Sequence, residues 1–99
     1  MGSGFIPTGI ATGIAGSILA KEVVQAIAAG ARFVLPAGDF YVYAVGADVR
    51  LQILDSTGVW NNLTAAGVGP GGLVTADGVG LGFVNNGGVS ENITFIKFA

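Results

Sequence analysis

Apolar and polar positions alternate most clearly between residues 32 and 54, RFVLPAGDFYVYAVGADVRLQIL. Two short clusters interrupt this stretch, PAGD at residues 36–39 and GAD at residues 46–48. Proline, glycine and aspartate in such clusters end a strand and reverse its direction. In residues 49–54, valine, leucine and isoleucine alternate with arginine and glutamine, which is the two-residue period of a half-buried strand. The pattern predicts three short strands joined by turns.

The middle strand of these three differs from the others because both of its sides are apolar. Phe40 and Val42 point to one side of the strand, and Tyr41 and Tyr43 point to the other. A strand that is apolar on both sides is expected to be covered on both sides. We therefore expect the middle strand to have no solvent-exposed face.

Turn-forming clusters recur after residue 54 and divide the rest of the chain into short apolar segments. They lie at residues 55–58, 67–72, 77–78 and 85–88, and the Asp-Gly pair at residues 77–78 predicts a β-hairpin. About seven or eight short strands at intervals of roughly ten residues are typical of a β-sandwich or barrel. We predict an all-β fold, a small jelly-roll-like sandwich of about seven or eight antiparallel strands.

Residues 17–30, SILAKEVVQAIAAG, fit two kinds of secondary structure. As a helix, the segment has Ser17 as its N-cap, one apolar stripe and Gly30 as its C-terminal stop. Its alanine-rich composition favours that helix, whereas the β pattern that follows favours a strand. We expect a strand, with a short helix over residues 17–29 as the alternative.

The first twenty residues contain no charged side chain. About 20 apolar residues can span a bilayer, but glycine or proline occupies six of these positions, with serine and threonine between them. The positive start of a secretory signal is also missing. We expect an extended arm, residues 1–16, ahead of a single β-sandwich domain, residues 17–99. The arm would lie on a neighbouring subunit through its large apolar side chains, Phe5, Ile6, Ile10 and Ile14.

Composition adds one constraint, because charged residues are scarce. They make up 10% of the 99 residues, and apolar residues make up 52%, whereas an ordinary soluble domain is about 25% charged. A chain of this length forms one domain with a large surface fraction, so the scarcity of charge extends to the surface. Either a partner covers much of that surface or the chain lies in lipid, and we expect the partner.

The amino-acid counts also exclude several classes of function. Four scattered basic residues and a net charge of −2 cannot form the basic stripe that binds a phosphate backbone. The chain has no histidine and no cysteine, so it lacks the commonest general base and metal ligand and any thiolate. The glycine-rich residues 67–72 lack the Lys-Ser/Thr pair of a phosphate loop. We expect no enzymatic activity, catalytic residue, cofactor, metal site or nucleic-acid partner.

Five of the six carboxylates lie at predicted turns or strand ends. Carboxylates can form an acid–base pair or a calcium site. Aspartate is also common in turns because its side chain bonds its own backbone, and this is the interpretation we favour. The five residues are Asp39, Asp48, Asp55, Asp77 and Glu91.

The aromatic residues Tyr41, Tyr43 and Trp60 are candidates for binding. Together they could form a platform for a sugar ring, although a single tryptophan in a small sandwich more often fills the core or an interface. We therefore treat these three residues, like the apolar residues of the arm, as interface candidates.

Four parts of the chain together resemble small virion proteins of tailed bacteriophages. They are the run LPAGDFYVYAVGADVRLQI, the Gly-x-Trp strand at residues 58–60, the turn at residues 76–78 and the final strand ENITFIKF. The resemblance covers residues 29–99. Proteins of this class are β-sandwiches that decorate or cement the capsid or build fibre and tail accessories, and cement proteins commonly reach neighbouring subunits with extended arms.

The resemblance implies a non-enzymatic structural protein of the virion, above all a capsid decoration or cement protein on the capsid surface. Its partners would be further copies of itself, as a trimer on a symmetric lattice, and the major capsid protein, with no membrane involved. The alternative is a carbohydrate-binding β-sandwich module, either in a phage fibre or tail accessory or in a secreted lectin-like protein.

Overall fold

A computed structural model of the chain describes residues 22–98 and shows eight β-strands and no helix in that range. The expectations for the arm, residues 1–16, and for residues 17–21 lie outside the described residues. The strands β1 to β8 are, in order, Glu22–Ile27, Arg32–Val34, Gly38–Val45, Val49–Leu54, Trp60–Asn62, Leu73–Ala76, Leu81–Asn85 and Glu91–Lys97.

The eight strands form two four-stranded sheets in which all neighbours are antiparallel. Sheet A has the order β1-β8-β3-β6, and sheet B has the order β2-β7-β4-β5. Among the described strands, only β4 and β5 are consecutive members of one sheet, so every other connection crosses between the sheets. This is the strand order of a jelly roll. The predicted antiparallel β-sandwich is confirmed.

The core lies between the two sheets, and aromatic rings from both sheets contact one another there. The Phe95 ring of sheet A contacts Phe40 of its own sheet edge-on, with ring centroids 5.4 Å apart. It also stacks on Phe33 of sheet B, with centroids 6.4 Å apart. Such ring pairs add to the free energy of apolar burial. The largest fully buried side chains are those of Leu35, Phe40, Val42, Val49, Phe83, Asn85 and Ile93.

Strand β4 shows the alternation that its sequence predicts. Val49 and Leu51 are buried in the core, whereas Arg50 and Gln52 lie on the outer side of sheet B and are only partly covered. Ile53 has the same orientation as the two core residues but is 42% exposed, because it lies near the end of the sandwich.

Residues 22–27 form β1, so the alternative of a helix over residues 17–29 is wrong for the described part of that segment. β1 pairs with β8 at six consecutive positions, from Glu22 opposite Ile96 to Ile27 opposite Glu91. Alanine-rich composition favours a helix only weakly. β8 pairs with β1 at each of its six residues, and Ile27 enters the core, so tertiary pairing outweighs local propensity.

The Asp-Gly turn at residues 77–78 does not form the predicted hairpin. It joins β6 of sheet A to β7 of sheet B. The local chemistry is that of a tight turn, because Asp77 Oδ1 accepts the N–H groups of Val79 and Gly80 at 2.9 and 2.8 Å. Gly78 has φ of 90°, a left-handed conformation that favours glycine. Turn chemistry reverses the chain without specifying which sheet receives the next strand.

One fully buried polar side chain, Asn85, connects the two sheets near the end of β7. Its Nδ2 donates to the backbone oxygens of Ile27 in sheet A and Val89 in the β7–β8 connection, at 2.9 and 2.8 Å. Its Oδ1 accepts the N–H of Gly87 at 2.9 Å. Because buried polar groups are costly when unpaired, this amide specifies how the two sheets meet.

Asn85→Ala is expected to lower the free energy of unfolding by about 2–4 kcal/mol, because it removes three hydrogen bonds to backbone groups, two to carbonyls and one to an N–H. Asn86→Ala is the matched control, since the Asn86 side chain is exposed and surface changes of this kind cost less than about 0.5 kcal/mol. Urea denaturation of both variants measures the difference. Equal losses would contradict the role assigned to Asn85.

Candidate interaction surface

The outer side of sheet A carries several large apolar side chains. Strand register places Glu22, Ile96, Tyr41 and Leu73 in one row that crosses all four strands. Ile96 is buried within this row, whereas Leu73 is 73% exposed. We call this surface the A-face and define it by Glu22, Val24, Tyr41, Tyr43, Leu73, Ile96 and Phe98.

A β-bulge shapes the centre of the A-face. The pairing of β3 with β8 shifts between Val42 and Ala44, which leaves Tyr43 as an extra residue. The Tyr43 ring stacks beside that of Tyr41, with centroids 6.2 Å apart and an angle of 21° between planes. The Tyr43 hydroxyl donates a hydrogen bond to Glu22 Oε1, and this bond raises the pKa of Tyr43 to about 12. The contact ties β1 to β3 across β8.

Within residues 22–98, β3 is covered on its core side only, and the expected cover of its other side stays a prediction. Phe40 and Val42 are buried in the core, but Tyr41 and Tyr43 on the opposite side are 37% and 41% exposed. The sequence pattern indicated correctly that both sides are apolar. Among residues 22–98, no segment covers the outer side of β3, because the chain continues into sheet B instead.

A shallow groove crosses one end of the A-face. It has a volume of about 310 Å³ and is lined by Asp39, Leu73, Thr75 and Phe98. The Thr75 hydroxyl donates to Asp39 Oδ1 at 2.7 Å, so the polar pair satisfies itself and leaves the two apolar side chains exposed. Leu73 and Phe98 were not among the sequence candidates. No local sequence pattern identifies Leu73, because only the pairing of β6 with β3 places it beside Tyr41.

The outer side of sheet B has a different character, because Trp60 lies there within a polar network. The Arg32 guanidinium lies over the Trp60 ring, 4.5 Å from its centroid, and its Nη2 donates to Gln52 Oε1 at 2.9 Å. Gln52 Nε2 in turn donates to Asn62 Oδ1 at 2.8 Å. The structure therefore places Trp60 and the two tyrosines on opposite sheets, and a single platform of three rings does not form.

Gly82 makes this network possible. It lies on β7 between β2 and β4, and a Cβ added there would be 3.0 Å from the Phe33 backbone oxygen and 3.4 Å from Arg32 Cγ. Glycine at this position lets the neighbouring strand and its side chain approach closely. Arg32, which sequence reasoning did not single out, crosses the strand at this position.

The carboxylates at turns make local hydrogen bonds. Asp55 Oδ1 accepts the N–H groups of Thr57 and Val59 and the Thr57 hydroxyl, and Oδ2 accepts the Asn61 amide at 2.8 Å. These bonds, that of the Thr57 side chain first, hold the pKa of Asp55 well below its usual value. Hydrogen bonds from the Gly80 and Val79 amides likewise lower the pKa of Asp77. The turn role predicted for Asp55 and Asp77 is confirmed.

Two further observations concern other classes of site. Residues 22–98 contain no group of three aspartate, glutamate, histidine or cysteine side chains placed to hold a metal ion. Within the same range, no helix is long and apolar enough to cross a membrane.

The class of this protein is defined by its structure, because comparisons with known proteins give no match. No family model, curated protein or solved structure matches the chain. The strand order and the two outer faces define a small jelly-roll sandwich with one apolar and one polar outer surface.

Asp55→Asn is expected to lower the melting temperature more than Asp77→Asn. Asparagine keeps the Oδ1 acceptor that both turns use, but its NH₂ group cannot accept the Asn61 amide that Asp55 Oδ2 binds. Because the folded-state pKa of Asp55 is lowered, its ionised form stabilises the fold above the unfolded value of about 3.9. That contribution is lost as the pH falls below this value.

Thermal denaturation followed by circular dichroism at several pH values checks both parts of this prediction. The gap in melting temperature between the wild type and Asp55→Asn should narrow as the pH falls below about 4. Equal losses in the two variants, or a gap that widens in acid, would contradict it.

Proposed function

We propose that the protein is a non-enzymatic structural component of a tailed-phage virion, a decoration or cement protein on the capsid surface. The observation that carries this proposal is the A-face, whose stacked tyrosines and exposed Leu73 and Phe98 form an apolar surface on a small domain. Large exposed apolar patches are typical of interaction sites. The resemblance of residues 29–99 to virion proteins supplies the biological setting.

The proposed mechanism is burial of apolar surface between subunits. The A-face would pack on neighbouring copies, in a homotrimer, and on the major capsid protein, so that each copy bridges capsomers. At about 25 cal/mol per Å², several hundred Å² of apolar contact contributes several kcal/mol before association costs. Repetition over a lattice would then stabilise the whole shell.

Binding to shells tests this function directly. The protein should co-sediment with empty shells assembled from the major capsid protein of the same genome, and binding should saturate at a fixed ratio to capsid subunits. Leu73→Ser should weaken binding about tenfold or more, because a buried leucine contributes roughly 1.5–3 kcal/mol.

Val79→Ser is the matched control for this experiment, since Val79 is 65% exposed but lies in the β6–β7 turn rather than on the A-face. Its binding should equal that of the wild type. No binding by the wild-type protein, or equal weakening by both variants, would contradict the proposal.

The carbohydrate-binding alternative is supported by one observation, the amides of Gln52 and Asn62 beside the Trp60 ring. Polar groups next to an aromatic face are suited to sugars. Arg32 already covers one face of that ring, however, and both tyrosines lie on the other sheet. A glycan that binds the wild type and is lost in Trp60→Ala, with the fold intact, would favour this alternative.

Deletion of residues 2–16 is expected to leave a folded β domain with a nearly unchanged melting temperature. Among residues 22–98, the buried core begins at Ile27 and draws on every strand except β5, together with connecting residues. The same deletion should weaken self-association or attachment to shells, because it removes Phe5, Ile6, Ile10 and Ile14. Circular dichroism and sedimentation velocity measure the two effects. Failure of the truncated chain to fold would show that the arm belongs to the core of its own subunit.

A further inference from the structure

Among the strands of residues 22–98, β1 has an edge without a partner strand. Its one described partner is β8, with which it pairs at six consecutive positions without a bulge. The other strands at sheet edges are shorter, with four residues in β6 and three each in β2 and β5. An edge strand presents a row of backbone N–H and C=O groups that can pair with another strand.

The side chains of β1 do not protect this edge. Natural edge strands are usually blocked by lysine, proline, a bulge or very short length, and residues 22–27, EVVQAI, have none of these features. The one charged side chain, Glu22, accepts the Tyr43 hydroxyl on the A-face. Val23 and Val24 are 39% and 57% exposed. The edge is therefore regular, largely uncharged and apolar.

We propose that residues 8–15 of a second copy add as a further strand beside β1. This inference rests on the proposed function, in which the arm reaches a neighbouring subunit. The segment TGIATGIA repeats four residues twice and contains no charge. In an extended conformation, threonine and isoleucine fall on one side and glycine and alanine on the other. The β-branched residues favour a strand, and the small residues permit close packing.

Addition to β1 of a second copy fits the chain better than folding back within one copy. A hairpin that turned at Ala15 and Gly16 would place Pro7, which has no N–H group, opposite Val24. Residues 8–15 would then lie largely beside residues 16–23 rather than beside β1. When residues 8–15 come from a second copy, they can pair with β1 in any register. Residues 16–21 would span up to about 20 Å between the copies.

Cross-linking between full-length chains tests this arrangement. The chain has no cysteine, so an introduced pair gives an unambiguous disulfide. Chains with Val24→Cys would be mixed with tagged chains that carry Thr8→Cys, Ile10→Cys, Thr12→Cys or Ile14→Cys, in a glutathione redox buffer. Because each chain carries one cysteine, a disulfide between tagged and untagged chains joins two copies. Val79→Cys, in the β6–β7 turn outside the A-face and more exposed than Val24, replaces Val24→Cys in the control.

One or two of the four arm positions should cross-link to Val24→Cys at least about tenfold more than to Val79→Cys, because a bound strand has one register and raises the local thiol concentration to the millimolar range. Equal yields with Val79→Cys would overturn the proposal. Preferential Val24→Cys homodimers would also overturn it and would indicate pairing of β1 with β1. Arm-dependent oligomers without cross-links to Val24→Cys would overturn the strand addition but leave the proposed function standing. A monomer that binds no shells would overturn both.

Discussion

The buried amide of Asn85 is the interaction on which the arrangement of the two sheets depends. Apolar packing between sheets is not directional, so it permits small shifts of one sheet over the other. A buried amide permits none without leaving polar groups unpaired. Asn85 hydrogen-bonds the end of β1 in sheet A from a position in sheet B, and it also holds the connection to β8. One side chain thereby determines where three strands meet.

The sandwich could be predicted from the sequence because the evidence for it is local. Alternation at Val49 and Leu51 and aspartate turns at Asp55 and Asp77 depend on residues a few positions apart, and all four have the predicted role. The strand partners could not be predicted in this way. The turn at residues 77–78 has hairpin chemistry and yet joins two sheets, because pairing depends on strands far away in the chain.

The candidate interaction surface could also be predicted from the sequence only in part. The sequence shows that Tyr41 and Tyr43 oppose the core side of their strand, but only the register of β6 places Leu73 beside them. The outer sides of the two sheets also separate Trp60 from the tyrosines, which no local pattern indicates. Hydrogen bonds and a cation–π contact occupy the side chains of Arg32 and Gln52 on sheet B, whereas the A-face leaves apolar rings exposed. The surface most suited to a protein partner therefore lies on sheet A.

The strand order of sheet A has a consequence for synthesis of the chain. β8, the last strand, lies between β1 and β3 and pairs with both. Until it leaves the ribosome, sheet A consists of the β3–β6 pair alone, and the inner sides of Phe40 and Val42 lack the Phe95 that covers them. Sheet A can therefore form during translation only after β8 has been synthesised. A nascent chain that lacks β8 exposes apolar surface and is prone to aggregation.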